Sequence, residues 1–340
     1  MEMAERLGGS RAMLVALEGR HFALARPENL EERLEIARRI IALADEAGDR
    51  ERDLLGRYFL IADLVEADEM EAAGREIEVY GRMAEEARLP LHRWYHARFR
   101  AMQALLEGRL DEAAGLAQRA FELGHPVEPR TATMHFGAQQ WLLGNLRGQL
   151  AGLEEAVRAF VADYPRVAAW RVGLVTVLLA QGRVDEAEEA FREFTESGFE
   201  NVPRDAIWSM TMGICAEVLS AGVGTPEDAR ALYRLVAPYA DRNAVTGEVI
   251  LCGGPMALYA GIGALIAGEV ETAIAHLEDA LERSARMGAR PFEGAAAQAL
   301  AQALAARGAD GDAERAAELG ARAESLAGAL AGQSPEAAAA

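Results

Sequence analysis

Residues 182–194 read "GRVDEAEEAFREF". The chain returns to the same grammar at 108–121 ("GRLDEAAGLAQRAF"), 268–281 ("GEVETAIAHLEDAL") and 311–323 ("GDAERAAELGARA"). Gly182 follows the apolar run "WRVGLVTVLLAQ", where a helix needs a left-handed residue just past its end. Asp185, Glu186, Glu188 and Glu189 then load the first turn of a second helix with acids, which complement the positive end of its dipole. Ala187 lets the two helices lie close, and Ala190, Phe191 and Phe194 continue a buried stripe at helical spacing. "MALYAGIGALIAGEVETAIAHLEDAL" obeys the same rules, with Ala257, Gly261 and Ala264 as the small face of its first helix.

Aligned on the residue that follows the acidic pair, the units are anchored at Arg33, Ala72, Ala113, Ala156, Ala187, Ala229, Ala273 and Ala316. Their successive spacings are 39, 41, 43, 31, 42, 44 and 43 residues. No such unit can bury its apolar face alone, so neighbours must stack. The expected fold is all-α: a right-handed α-solenoid of about eight helix pairs over residues 1–330, followed by a disordered tail at 331–340. Residues 1–26 are expected to form one or two leading helices.

Composition agrees with helices packed through small side chains: 51% hydrophobic residues, but only 6% aromatic. The net charge is −19, and all 35 basic residues are arginine. Without lysine there is no P-loop, whose motif requires one, and no Schiff-base catalysis. An acidic chain should repel nucleic acid and anionic membrane, so neither is an expected partner. Cys215 and Cys252 sit in apolar contexts without metal-ligand spacing, which reads as two buried thiols. The N-terminus "MEMAERLGGSRAM" has no apolar core of a signal peptide, and a cytoplasmic location is expected.

The pattern resembles the tetratricopeptide repeat. Ala187 and Phe191 match the small and aromatic positions of that motif's second helix, and Gly261 matches its first-helix small residue. Most units exceed the family's 34-residue norm, which implies longer helices or loops. At greater length the chain resembles the C-terminal helical-repeat region of large bacterial ATP-binding regulators, the LuxR-type and nucleotide-cyclase-like signalling ATPases. The blocks that carry this likeness include "LEGRHFALARPENLEERLEIARRIIALADEAGD", "RLPLHRWYHARFRAMQALLEGRLDEA", "GFENVPRDAIW" and "LCGGPMALYAGIGALIAGEVETAIAHLEDALERSARMGARPF", collinear across residues 14–328. The resemblance implies a sensor region that works with an ATPase module of the same polypeptide.

Candidate sites are few. His92 and His96 lie one helical turn apart, but no carboxylate or thiol nearby completes a metal set, so a packed helix is the expected reading. No G-x-S-x-G motif occurs, and neither cysteine has a His and a carboxylate at suggestive positions, so no catalytic residue, metal or cofactor is assigned. Aromatic and polar residues instead gather on the first helices of several pairs, which should line the concave groove. Trp94, Tyr95, Arg98, His135, Gln139, Gln140, Trp141, Trp170, Arg171 and Trp208 form the candidate groove, and "TMHFGAQQW" (133–141) is its most unusual segment. Their chemistry suits a small ligand or a partner protein. The expected function is a non-catalytic regulatory binding module, and the alternative is a stand-alone protein-interaction scaffold.

Overall fold

The computed structural model describes residues 10–333. Sixteen α-helices span these residues, in eight antiparallel pairs. The pairs are α1 (Ser10–Ala23) with α2 (Leu30–Ala47), α3 (Arg50–Glu66) with α4 (Met70–Ala87), α5 (Pro90–Leu106) with α6 (Leu110–Gly124), and α7 (Pro129–Leu146) with α8 (Glu154–Asp163). They continue with α9 (Ala168–Ala180) and α10 (Val184–Thr195), α11 (Trp208–Ser220) and α12 (Pro226–Val236), α13 (Met256–Ile266) and α14 (Val270–Met287), then α15 (Arg290–Arg307) and α16 (Asp312–Ala331). The fold is a helical solenoid of stacked pairs. Residues 1–9 and 334–340, which hold part of the expected leading helix and most of the expected disordered tail, lie outside the described residues.

The repeat grammar has the physical basis expected of it. Gly182 and Gly268 take φ of +72° and +83° between the paired helices, a conformation that costs glycine little and other residues more. Asp185 and Glu186 occupy the first turn of α10, and Arg183 pairs with Glu186 and Glu154 beside it. Ala113, Ala187, Ala229 and Ala273 are buried against their partner helices. Two anchors slip by one position: Ala73 and Val157 are buried where Ala72 is only half-buried and Ala156 is exposed. In the first pair Arg33 fills the small-residue slot, and its guanidinium pairs with Asp63 and Glu66 of α3 instead of packing against a neighbour.

Units five apart in sequence touch. Arg204, just before α11 of the sixth pair, bonds Glu28 in the turn of the first, and Arg242 donates to the carbonyl of Pro27 there. Arg283 Nη1 of the seventh pair meets Asp68 Oδ2 in the turn of the second at 2.9 Å. Gln333, after the eighth pair, donates to the Gly108 carbonyl in the turn of the third at 2.9 Å and accepts from Leu110 N at 2.9 Å. The superhelix therefore closes on itself, with the turn inside each early unit seated on the end of a later second helix. Its main core runs unbroken from Leu14 to Ala323.

One element departs from the helical pattern. Between α12 and α13 the chain forms an antiparallel hairpin, β1 (Asn243–Val245) and β2 (Cys252–Pro255), with Val245 opposite Cys252. It packs on the first helices α3, α5, α11, α13 and α15, and on α14. The hairpin lies inside the superhelix.

Candidate binding groove

Over the second to fourth pairs the hairpin packs against the first helices and covers the face they turn to it. Arg98 of α5 is wholly buried beneath it. Its guanidinium donates to the carbonyl of Glu248 (2.8 Å), meets the Glu248 carboxylate (3.2 Å) and donates to Tyr58 Oη (3.3 Å). It also lies over the Tyr95 ring at 4.8 Å, a cation–π geometry. Gln139 of α7 donates to the carbonyls of Arg98 (3.3 Å) and Ile250 (3.2 Å), so one amide ties two helices to the hairpin. His135 stacks on Trp94, with ring centroids 5.5 Å apart. Its Nδ1 accepts from Arg98 Nη1 at 3.1 Å, which leaves Nε2 to carry the proton towards Glu248 Oε2 at 3.5 Å. Burial, reinforced by the Arg98 charge, pushes the His135 pKa down to about 2.

The hairpin is thus gripped through its own carbonyls, the way a groove holds an extended peptide. Val249 at its tip is buried with φ +48°, a conformation that costs a β-branched residue roughly 1–3 kcal/mol and persists only where the surroundings impose it. Gly247 beside it lies so close to Ala206 that an added Cβ would sit 2.1 Å from the Ala206 Cβ.

Behind the hairpin lies a cavity of about 150 Å³. Trp141 and Trp170 form one wall, Met210 and Ile214 of α11 another, and Ile250 and Leu251 of the hairpin the third. Thr246 contributes the one hydroxyl in the lining. Trp141 Nε1 turns away from the space and donates to Thr176 Oγ1 at 3.2 Å, so the indole offers only its apolar face.

Of the remaining candidates, Gln140 is half-buried and lines neither this cavity nor the bonds to the hairpin. Trp208 is buried against Tyr239, with Arg204 over its ring at 4.5 Å. Arg171 pairs with Glu193 at 2.8 Å on α10, outside the cluster around Arg98. His92 Nδ1 bonds Tyr80 Oη at 2.6 Å, and no group of three or more potential metal ligands occurs among the described residues. Both cysteines are free and buried, and burial pushes the Cys252 thiol up to about 12. No helix of the described residues is long and apolar enough to cross a membrane.

Sequence comparison agrees with this architecture. Residues 142–206 and 177–249 match the tetratricopeptide repeat family, each window spanning about two helix pairs. The chain therefore carries tetratricopeptide-like helical repeats, a scaffold associated with binding of protein partners. No curated protein matches it.

Proposed function

We propose that the chain is a non-catalytic regulatory binding module, and that its effector is a small apolar molecule seated in the cavity beneath Trp141 and Trp170. The observation that carries this reading is the shared wall. Repeat helices α7, α9 and α11 form most of the cavity, and Thr246, Ile250 and Leu251 of the hairpin supply its remaining wall. An occupant touches both, so it has different contact energy with the hairpin seated and displaced, which is what coupling between two states requires. Empty apolar cavities of this size accept benzene-like molecules. The strained tip at Val249 supports a hairpin that can leave the groove, and vacating it would free Arg98 and Gln139 to hold the backbone of a partner.

The output belongs to the same proposal. Likeness to bacterial signalling ATPases supports control of an ATPase module or transcription regulator by this switch. An open reading frame that continues upstream of the Met1 codon into a G-x-x-x-x-G-K-[ST] motif would test that part. The repeat match supports the second reading, a stand-alone protein-interaction scaffold.

Thermal unfolding with indole or toluene as probe separates the two readings. Saturable stabilisation that disappears in Ala138→Leu, which fills the cavity, is the expected result. No saturable shift with either probe removes the effector site and leaves the scaffold.

A further inference from the structure

A second opening lies on the inner surface, beyond the hairpin, between α7, α11, α13 and α15. It has a volume of about 440 Å³, within the range of small-molecule pockets. Leu142, Leu258, Ile262, Ile266 and Phe292 supply apolar walls, and one charged side chain, Glu217 of α11, enters the lining. No arginine or histidine nitrogen of the described residues lies within salt-bridge distance of its carboxylate, although arginine–carboxylate pairs are frequent elsewhere among them. Its one side-chain partner is the Asn145 amide, which donates to Oε2 at 3.3 Å. Tyr259, the other titratable group facing the space, donates its hydroxyl to the Gly253 carbonyl at 2.6 Å and is committed there.

The Glu217 carboxylate is half-buried between these apolar walls and the polar side chains of Asn145, Ser220, Gln298 and Gln302, with one weak donor and no cation, and an unpaired charge held there is costly. Desolvation pushes the Glu217 pKa up to about 7, against the small opposing effect of Asn145. A cation inside the groove would restore what the carboxylate lacks, while the apolar walls and the faces of Phe292 and Tyr259 would cover the rest of its bearer.

We infer that this groove binds an amphiphilic organic cation, a small molecule with one ammonium or guanidinium head against Glu217 and an alkyl or aryl body along α13 and α15. This site is separate from the cavity under Trp141 and does not depend on the reading given for that cavity. The net charge of −19 favours the same ligand class, because it concentrates cations at the surface and repels anions.

Calorimetric titration of the full chain at pH 8 with n-hexylammonium, n-hexanol and n-hexanoate tests the proposal, with Glu217→Gln beside the wild type. Hexylammonium should bind at least tenfold more tightly than hexanol, and hexanoate not measurably. Glu217→Gln, a neutral residue of the same shape, should erase that preference while keeping the melting temperature. In the wild type the preference should shrink as pH falls below about 7, where Glu217 takes up a proton. Equal binding of the ammonium and the alcohol, or a preference that survives Glu217→Gln, overturns the proposal. Binding of a blocked Leu-Lys-Leu peptide in place of the free amine also overturns it, because the cation would then belong to a partner protein.

Discussion

Asp68 and Arg283 stand 215 residues apart in sequence and 2.9 Å apart in space. Arg286 adds a second ion pair to the same carboxylate, and Asn243 Nδ2 approaches its other oxygen at 3.4 Å. The turn of the second helix pair is thereby fastened to the seventh and to the base of the hairpin. Interactions of this kind make the array a closed superhelix instead of an open stack whose units touch only their neighbours. Asp68→Ala should lower unfolding free energy by about 1–3 kcal/mol, since it removes a buried acceptor shared by Arg283, Arg286 and Asn243. Urea denaturation measures this, and the loss should change little with added salt because the Asp68 carboxylate is only 4% exposed. A loss that vanishes at high salt would make the clasp a surface pair.

Gln139 and Gln140 are adjacent in sequence and opposite in consequence. Gln139 is 1% exposed and bridges the Arg98 and Ile250 carbonyls, so Gln139→Ala should cost about 1–3 kcal/mol. Hydrogen exchange should report the loss first in the hairpin amides. Gln140→Ala should stay within about 0.5 kcal/mol of wild type, as expected of a side chain without buried partners. A collapse of the Gln140→Ala melting transition would place that residue in the core.

His135 sets a pH dependence with a definite sign. In the fold its pKa falls to about 2 from an ordinary 6.5, so the folded state excludes a proton that the unfolded chain accepts. Above pH 6.5 both states hold neutral imidazole and nothing is lost. As pH falls through 6.5 towards 2, the unfolded chain alone gains the proton and stability declines, by up to about 1.4 kcal/mol per pH unit. Glu217 acts in the opposite sense, because its raised pKa makes the folded state bind a proton more readily between the ordinary carboxylate range and about 7. The difference between wild type and His135→Gln isolates the histidine. The variant should be less stable at pH 8 and should lose less than wild type between pH 6.5 and 5. Parallel pH curves would remove His135 as the source.

The repeat was legible because each unit must solve the same local problem. A left-handed glycine, an acid-rich helix start and a small residue at a close contact are needed every time, so Gly182, Asp185 and Ala187 show their reasons in the sequence. The hairpin was not legible from that grammar, although "AVTGEVILC" (244–252) places Val245 before Thr-Gly and the β-branched Val249 and Ile250 after it, a weak strand-turn-strand signal. The aromatic and polar residues of the inner helices were visible as a set. Their division was not: Arg98, His135 and Gln139 spend their hydrogen bonds on the chain itself, and only the faces of Trp141 and Trp170 are left to a cavity. That division depends on residues 243–255, which reach the groove from far along the chain, 76 positions beyond Trp170 at Thr246 and 150 beyond Arg98 at Glu248. Glu217 is silent in the sequence for a similar reason, since one acid in an apolar helix acquires meaning only when the fold leaves it without a nearby cation.

The fourth helix pair buries its small contact one residue later than its neighbours do. Ala156 and Ala187 hold equivalent slots in consecutive units, but Ala187 is 0% exposed and Ala156 faces outward, with Val157 taking the buried place. Ala187→Arg forces a long charged chain into a contact sized for a methyl group. Overpacking alone costs about 1–3 kcal/mol, and a buried charge costs more, so part of the array should unfold. Ala156→Arg should be tolerated within about 0.5 kcal/mol, because its side chain projects from an exposed position of α8. Val157→Arg, one residue on, should behave like Ala187→Arg. Circular dichroism melts of the three variants decide the matter. If Ala156→Arg proves as damaging as Ala187→Arg, the fourth unit keeps the register of its neighbours and the one-residue slip is wrong.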